Sequence, residues 1–369
     1  LVYYRTYARW IEEEGRRECW IETVDRYMDF MRENIGDALN KKEYEEIRES
    51  ILNQEAMPSM RLMQFAGKPA RATNVCAYNC SFTAPKSIQD FAEIIYISMC
   101  GTGVGFSIES QNIQALPQIA YQTGKMLPTY TVADSKEGWA DAFAVGMQAW
   151  FDGNDIKFNF SQLRPSGARL ATMGGKSSGP QPLVDLLDFT RAKVLHRQGR
   201  RLTNIDAHDI ICKIGEVVVS GGVRRSALIS LSDLDDDAMR DAKKGQFWNT
   251  DGQRMLANNS AVYNNKPSTE EFMDEWVALM KSGSGERGIF NRGGLPDQLP
   301  KRRVELLKKD GYIDIANHVV KPIGTNPCGE IILRSKQFCN LSEVVARAED
   351  TEATLMKKIR IATILGTYQ

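Results

Sequence analysis

Apolar residues recur along this chain first with a helical period and then in a mixed pattern. Between residues 1 and 56, Trp10, Trp20, Val24, Met28 and Met31 follow mixed three- and four-residue spacing among many charges. That is the period of helices with one buried face, so this region is expected to form two helical stretches in a packed N-terminal layer. From about residue 73 the texture changes to short β-like runs, glycine clusters and helices. Ser87 with Asp90, ahead of Phe91, Ile94 and Ile95, reads as a helix start, as does Ser268 with Glu271 ahead of Phe272, Trp276 and Leu279. In each the hydroxyl accepts an orphan backbone N–H while the acid reaches back to the cap. Spacing predicts further helices over 136–151, 182–197, 205–219 and 351–366, and apolar runs at 226–231 and 331–333 have strand length. Helices alternating with short buried strands predict an α/β sheet or barrel. No internal repeat or low-complexity linker splits the chain.

Composition narrows the function classes. The 47 Lys plus Arg equal the 47 Asp plus Glu, so no global field favours nucleic acid or an anionic membrane, and an anionic ligand must be caught locally. No run reaches the roughly 18 apolar residues of a membrane span, and the N-terminal region has no signal-peptide shape, so the expected compartment is the cytoplasm. The seven cysteines are odd in number and scattered, unlike a secreted disulfide framework. Cys19, Cys100 and Cys212, in apolar helical contexts, are expected to be packed thiols. Cys76 and Cys80 form C-x₃-C without a second pair, and His196, His208 and His318 are too scattered to make a metal site. Both ends read as cut: there is no initiator Met, and the apolar helical pattern at 359–369 stops without a cap.

Three glycine clusters sit between the elements. Gly101-Thr-Gly-Val-Gly105 looks like a nucleotide-binding turn but fits neither G-x-G-x-x-G nor a P-loop, and the cluster from Gly174 to Gly179 lacks the earlier glycine of a P-loop. Gly221-Gly-Val-Arg-Arg-Ser226 joins flexible backbone to the guanidinium groups of Arg224 and Arg225, a combination suited to phosphate.

The segment Gly324-Thr-Asn-Pro-Cys-Gly-Glu330 is different in kind. Pro327 and Gly329 bracket Cys328, so restriction and freedom of the backbone meet around one thiol. Glu330 follows two residues later, and in an extended loop both side chains point to one side. Cys339 comes eleven residues after Cys328.

The run from Asn326 to Glu330 resembles the finger-loop motif of the ribonucleotide reductase catalytic subunit, and Asn79-Cys80-Ser-Phe82 resembles its first-strand cysteine. The arginine pair, with Ala257-Asn-Asn-Ser260 downstream, is most similar to the monomeric, adenosylcobalamin-dependent (class II) triphosphate reductases. The resemblance covers residue 55 to the end. It implies the first half of a ten-stranded α/β barrel with a central finger loop: a helical region at 1–56, a half-barrel with an effector-binding insertion at 57–320, the finger loop at 321–334, and the start of a second half-barrel at 335–369. It also implies reduction of ribonucleotides to deoxyribonucleotides, with Cys328 as thiyl radical, Glu330 as proton acceptor, Asn326 holding ribose hydroxyls, and Cys80 with Cys339 supplying the reducing electrons. Asn79, Gly101, Gly103 and Gly105 fall on the substrate side, and Arg224 and Arg225 on the effector. Adenosylcobalamin, a deoxynucleotide effector and a thioredoxin-like dithiol are the implied cofactor and partners, and the complete protein is expected to be a monomer.

More sequence separates Cys80 from Cys328 than five strand–helix units need, and 111–160 or 232–310 would hold the insertion. The second half-barrel, with most of the cobalamin surface and the terminal cysteine pair, is absent from this sequence as the resemblance frames it. A glycyl-radical enzyme is disfavoured by Glu330 and Cys339; a non-catalytic nucleotide-binding fragment needing a second polypeptide is the remaining alternative. The reading expects Cys80 and Cys339 within disulfide reach, and Cys328 on a loop tip enclosed by strands with Glu330 and Asn326 facing one cavity.

Overall fold

A computed structural model describes residues 2–168, 176–220 and 227–369, and the chain divides into two compact units, residues 1–79 with 338–369 and residues 80–337. The class is mixed α/β, as expected.

In the first unit, helix α1 (Trp20–Ile35) turns Val24, Tyr27, Met28 and Met31 inward, and helix α2 (Lys41–Leu52) adds Tyr44, Ile47 and Ile51. Residues three and four apart share a helix face, so both stripes meet in one core. Asn40 starts α2: its side chain accepts the Glu43 N–H, and the Glu43 carboxylate accepts the Asn40 N–H, each at 3.0 Å. Ile361 and Leu365 of the C-terminal helix Glu352–Tyr368 close the same core. Cys19 corrects the sequence expectation. It is exposed, because it caps α1, where its N–H is held by the Glu22 carboxylate at 2.7 Å, one turn before the buried stripe begins.

In the second unit five strands pair side by side and parallel in chain order: β1 (Cys80–Thr83), β2 (Gly103–Ser107), β3 (Leu228–Asp233), β4 (Ala257–Val262) and β5 (Gly288–Phe290). Each connection therefore steps to the next neighbour, the progression from which parallel barrels are built. Helices form where the sequence predicts them, at Lys136–Phe151, Gln181–His196, Asn204–Ser220 and, with reciprocal caps at Ser87 and Ser268, at Ile88–Met99 and Thr269–Ser282. The strand expected at 226–231 is displaced to Leu228–Asp233. Among the described residues no helix is long and apolar enough to cross a membrane.

Alternation along the strands decides which side chain meets what. Phe106 faces His208 of the helix Asn204–Ser220, with ring centroids 6.1 Å apart, so Gly103 and Gly105 face the other way. On that side lies an antiparallel hairpin, β6 (Ile323–Thr325) and β7 (Ile332–Arg334), with Thr325 opposite Ile332. A Cβ on Gly105 would overlap the Thr325 carbonyl oxygen, and one on Gly324 would overlap the Phe82 ring. Both glycines are therefore required by close approach of backbone. Leaving the hairpin, the chain runs along β1: Lys336 N–H donates to the Phe82 carbonyl at 2.8 Å, and Ala84 N–H to Ser335 Oγ at 3.0 Å. The strand Gln337–Cys339 then straddles the boundary between the units.

Candidate active site

The tip of the hairpin is built by its own sequence. Gly329 N–H donates to the Asn326 carbonyl at 3.0 Å, closing a β-turn in which Pro327 supplies the fixed φ and Gly329 the positive one, +86°. Ile331 N–H donates to Asn326 Oδ1 at 2.9 Å, and Asn326 N–H to the Ile331 carbonyl at 3.1 Å. Cys328 thus occupies a hydrogen-bonded turn, where an extended loop was expected; proline before the thiol and glycine after it favour the turn.

Cys328 and Glu330 are exposed while Asn326 is wholly buried. Among the described residues the turn leaves its thiol and carboxylate exposed, where enclosure by strands was expected, while Asn326 braces the turn from beneath. The Asn326 amide nitrogen, Nδ2, is buried without a hydrogen-bond partner, which leaves one donor unassigned.

Cys80 begins β1 and has the same parity as Phe82, so it points toward the hairpin. Its thiol is among the groups close enough to act on that of Cys328. Partial burial, then the Glu330 charge and Cys80, push the Cys328 thiol above the ordinary range, so it carries its hydrogen at neutral pH. Two cysteines far apart in sequence are thereby brought near one another. Cys339 is buried too, but it belongs to the first unit, and the expected pairing with Cys80 spans the two units.

The glycines acquire specific reasons. Gly101 sits at φ +79° just past the end of the helix Ile88–Met99, a position favouring glycine. A Cβ on Gly103 would press on Pro327 Cγ at 3.0 Å, so this glycine and Gly105 make room for the hairpin. Asn79, in the first unit, has its side-chain oxygen 3.2 Å from Ser59 Oγ. Arg224 and Arg225 lie outside the described residues. Cys100 and Cys212 are buried, as expected, and no His/Cys/Asp/Glu group among the described residues could hold a metal ion.

Sequence reasoning missed Arg292 and Glu109. Their buried, two-pronged ion pair (2.7 and 2.6 Å) stands at the base of the hairpin, where Arg292 Nε also donates to the Ile323 carbonyl at 2.8 Å. The signal was a carboxylate directly after an apolar strand run, with no nearby partner in sequence.

Comparison with known proteins gives this geometry its setting. The family model of the ribonucleotide reductase alpha domain matches residues 1–64, and that of the insertion domain of B12-dependent ribonucleotide reductase matches residues 106–194. The crystal structure of a B12-dependent (class II) ribonucleotide reductase superposes with a TM-score of 0.81 at 25% identity, covering 100% of this chain and 57% of that one. The chain is similar to the B12-dependent ribonucleotide reductases. Similar proteins include the adenosylcobalamin-dependent ribonucleoside-triphosphate reductases of Lactobacillus helveticus (28% identical over 93% of this chain and 54% of the relative) and Lactobacillus leichmannii (29%, 93% and 54%). That of Lactobacillus acidophilus is 28% identical over 97% of this chain and 56% of its own length. The chain spans about half the length of the curated ribonucleotide reductases it matches. Of the two ranges considered for an insertion, 111–160 lies inside the matched insertion domain and 232–310 outside it.

Proposed function

We propose that this chain carries the radical cysteine of a class II ribonucleotide reductase and acts in the reduction of ribonucleoside triphosphates to 2′-deoxyribonucleotides. The observation that carries the reading is the braced turn that presents Cys328 at the hairpin tip on the side of β1 where Cys80 lies. Similarity to enzymes named for this reaction supports it.

Each residue then has a task that its surroundings suit. Adenosylcobalamin, when bound, supplies a carbon-centred radical that can draw a hydrogen atom from a thiol. The exposed tip of the hairpin fits such a donor, since Cys328 is reachable and its raised pKa keeps the hydrogen on sulfur. No residue of this chain is assigned to hold the corrin. As a thiyl, Cys328 takes the 3′ hydrogen of the ribose, and Glu330 accepts the 3′ hydroxyl proton, which requires hydrogen-bond reach. Asn326 Nδ2, buried and unpartnered, is the donor left for a ribose hydroxyl. Cys80 and Cys339 give up two electrons and two protons as the 2′ hydroxyl departs as water, ending as a disulfide, and Cys328, a thiol since it took the 3′ hydrogen, becomes a thiyl again by returning it to the sugar. An external dithiol of thioredoxin type resets the pair. Gly101, Gly103, Gly105 and Asn79 border the substrate, and Arg224 with Arg225 grips the phosphate of a deoxynucleotide effector.

In this reading the five parallel strands are the first half of a ten-stranded barrel around the finger hairpin, and enclosure of the tip comes from the other half present in the longer relatives. A carbon radical needs that shielding from water and stray hydrogen donors. The test is deoxynucleotide formation from a ribonucleoside triphosphate, by the protein at the full length of its relatives, with adenosylcobalamin and a dithiol. Turnover that vanishes in Cys328→Ser is expected; turnover surviving that change would overturn the mechanism.

A further inference from the structure

Two arginine–carboxylate pairs in the second unit are buried to within a few per cent, Arg292 with Glu109 and Arg287 with Glu275. Each is two-pronged: Arg287 Nε and Nη2 reach the Glu275 oxygens at 2.6 and 2.8 Å. Buried pairs of this kind are weak contributors to stability, because desolvation cancels much of the attraction. What they supply is geometry, since a planar guanidinium fixes the angles between its donors.

For Arg292 that geometry is directed at the hairpin. Its two Nη groups are locked on Glu109, and its Nε holds the carbonyl of Ile323, the first residue of β6. Glu109 is itself fixed, accepting from Ser107 Oγ at 2.6 Å and from Gln111 Nε2 at 3.2 Å, directly beyond the end of β2. A backbone carbonyl cannot rotate away as a side chain can. The strand leading to Cys328 is therefore referenced to β2 through one rigid fork, while Gly105 and Gly324 let it lie flush against β2 and β1. We propose that Arg292 is a positioning residue, which, braced by Glu109, sets where the finger strand enters and thereby the separation of the Cys328 and Cys80 thiols. The proposal rests on the reading of Cys328 as the working thiol. Arg287 and Glu275 make the same kind of pair without touching the hairpin; Arg287 binds instead the carbonyls of Asp233 and Leu234.

The experiment uses the whole 369-residue chain with Cys19→Ser, which leaves Cys328 as the one exposed thiol. Diamide oxidises thiol pairs, and the rate of Cys80–Cys328 disulfide formation is followed by peptide mass spectrometry. Arg292→Met should slow it by at least about tenfold, because reaction between held groups falls steeply with sub-ångström misplacement. Arg292→Lys, keeping one donor, should recover part of the rate, and Glu275→Gln should stay within about twofold of the parent even where it lowers the melting temperature as much. Should Arg292→Met not fold, Glu109→Gln decides, since it keeps the shape and weakens the brace: a slowed reaction supports the proposal and an unchanged one overturns it. A parental rate in Arg292→Met, or equal slowing by Glu275→Gln, also overturns it. Turnover plays no part in this readout, so a failed Cys328→Ser test would remove the proposed function and leave the result on Arg292 standing.

Discussion

The seating of the finger hairpin can be challenged at one atom by Gly105→Ala. A methyl group there overlaps the Thr325 carbonyl oxygen outright, and its next neighbours, the Thr325 carbonyl carbon at 3.1 Å and Ile229 Cγ2 at 3.2 Å, are already tighter than ordinary contact. Relief requires β6 to retreat by on the order of 1 Å, and overpacking of this kind costs about 1–3 kcal/mol. Against it stands the gain of about 0.4–1 kcal/mol from replacing glycine at an unstrained position, so the overlap wins and the sign is destabilising. For a unit of this size the melting temperature should fall by roughly 2–10 °C. Retreat of the strand also separates Cys328 from Cys80 and opens its surroundings, so the thiol loses part of the burial and proximity that raise its pKa. Alkylation of Cys328 by iodoacetamide, followed against pH in the Cys19→Ser background, should then reach half its maximum at a lower pH. Gly252→Ala is the control, because a Cβ at Gly252 meets nothing within 4 Å. A Gly105→Ala protein with the parental melting temperature and alkylation profile would show that β6 is not held against β2 as described.

Three further outcomes test the surrounding structure. Asp209, buried under Arg254 (2.6 and 2.9 Å) and Lys193 (2.7 Å), should cost about 3–5 kcal/mol when changed to Ala, read from urea unfolding, since two cations lose their counterion; a loss below about 1 kcal/mol would contradict the buried network. Burial opposes a charge on His208, but Cys212 and Asp209 outweigh it and push the imidazole up to about 9. Its stabilising contribution is therefore complete below the unfolded value of about 6.5 and is lost as pH rises through the folded value, so the melting temperature should decline across that window and His208→Asn should flatten the decline; an identical decline in the variant would refute the assignment. Finally, N-ethylmaleimide should label two of the seven cysteines in the native chain, Cys19 and Cys328, and rapid labelling of a third would contradict the burial pattern.

Much of the fold was legible because local rules and tertiary packing agree there. The caps at Ser87 and Ser268 and the helix Lys136–Phe151 carry their own signals, a hydroxyl with an acid three residues on and a one-sided apolar stripe. Cys19 misled for the same reason: an apolar neighbourhood in sequence does not tell a cap from the buried face one turn later. At the site, Asn326 to Glu330 was conspicuous because proline and glycine around one thiol are rare unless a turn demands them. That they make a hydrogen-bonded turn instead of an extended loop was within reach of the same residues, since Asn, Pro and Gly stand at the positions a β-turn favours.

The glycine cluster and the arginine show where such reading stops. Gly103 and Gly105 looked like part of a nucleotide-binding turn because sequence reports only that a side chain is unwelcome, not what takes its space. In the folded chain the space at Gly105 is taken by a carbonyl of Thr325, a residue 220 positions later in the sequence, and no local rule contains that distance. Arg292 and Glu109 fail the same test in reverse: each is an ordinary charge in its own neighbourhood and becomes singular only when topology buries the two together beneath the hairpin. If positioning is their task, the placement of Cys328 that carries the functional reading depends on residues that sequence motifs do not mark. A search for working parts in relatives of this chain should therefore follow the hydrogen bonds outward from the Ile323 carbonyl before it follows the motifs.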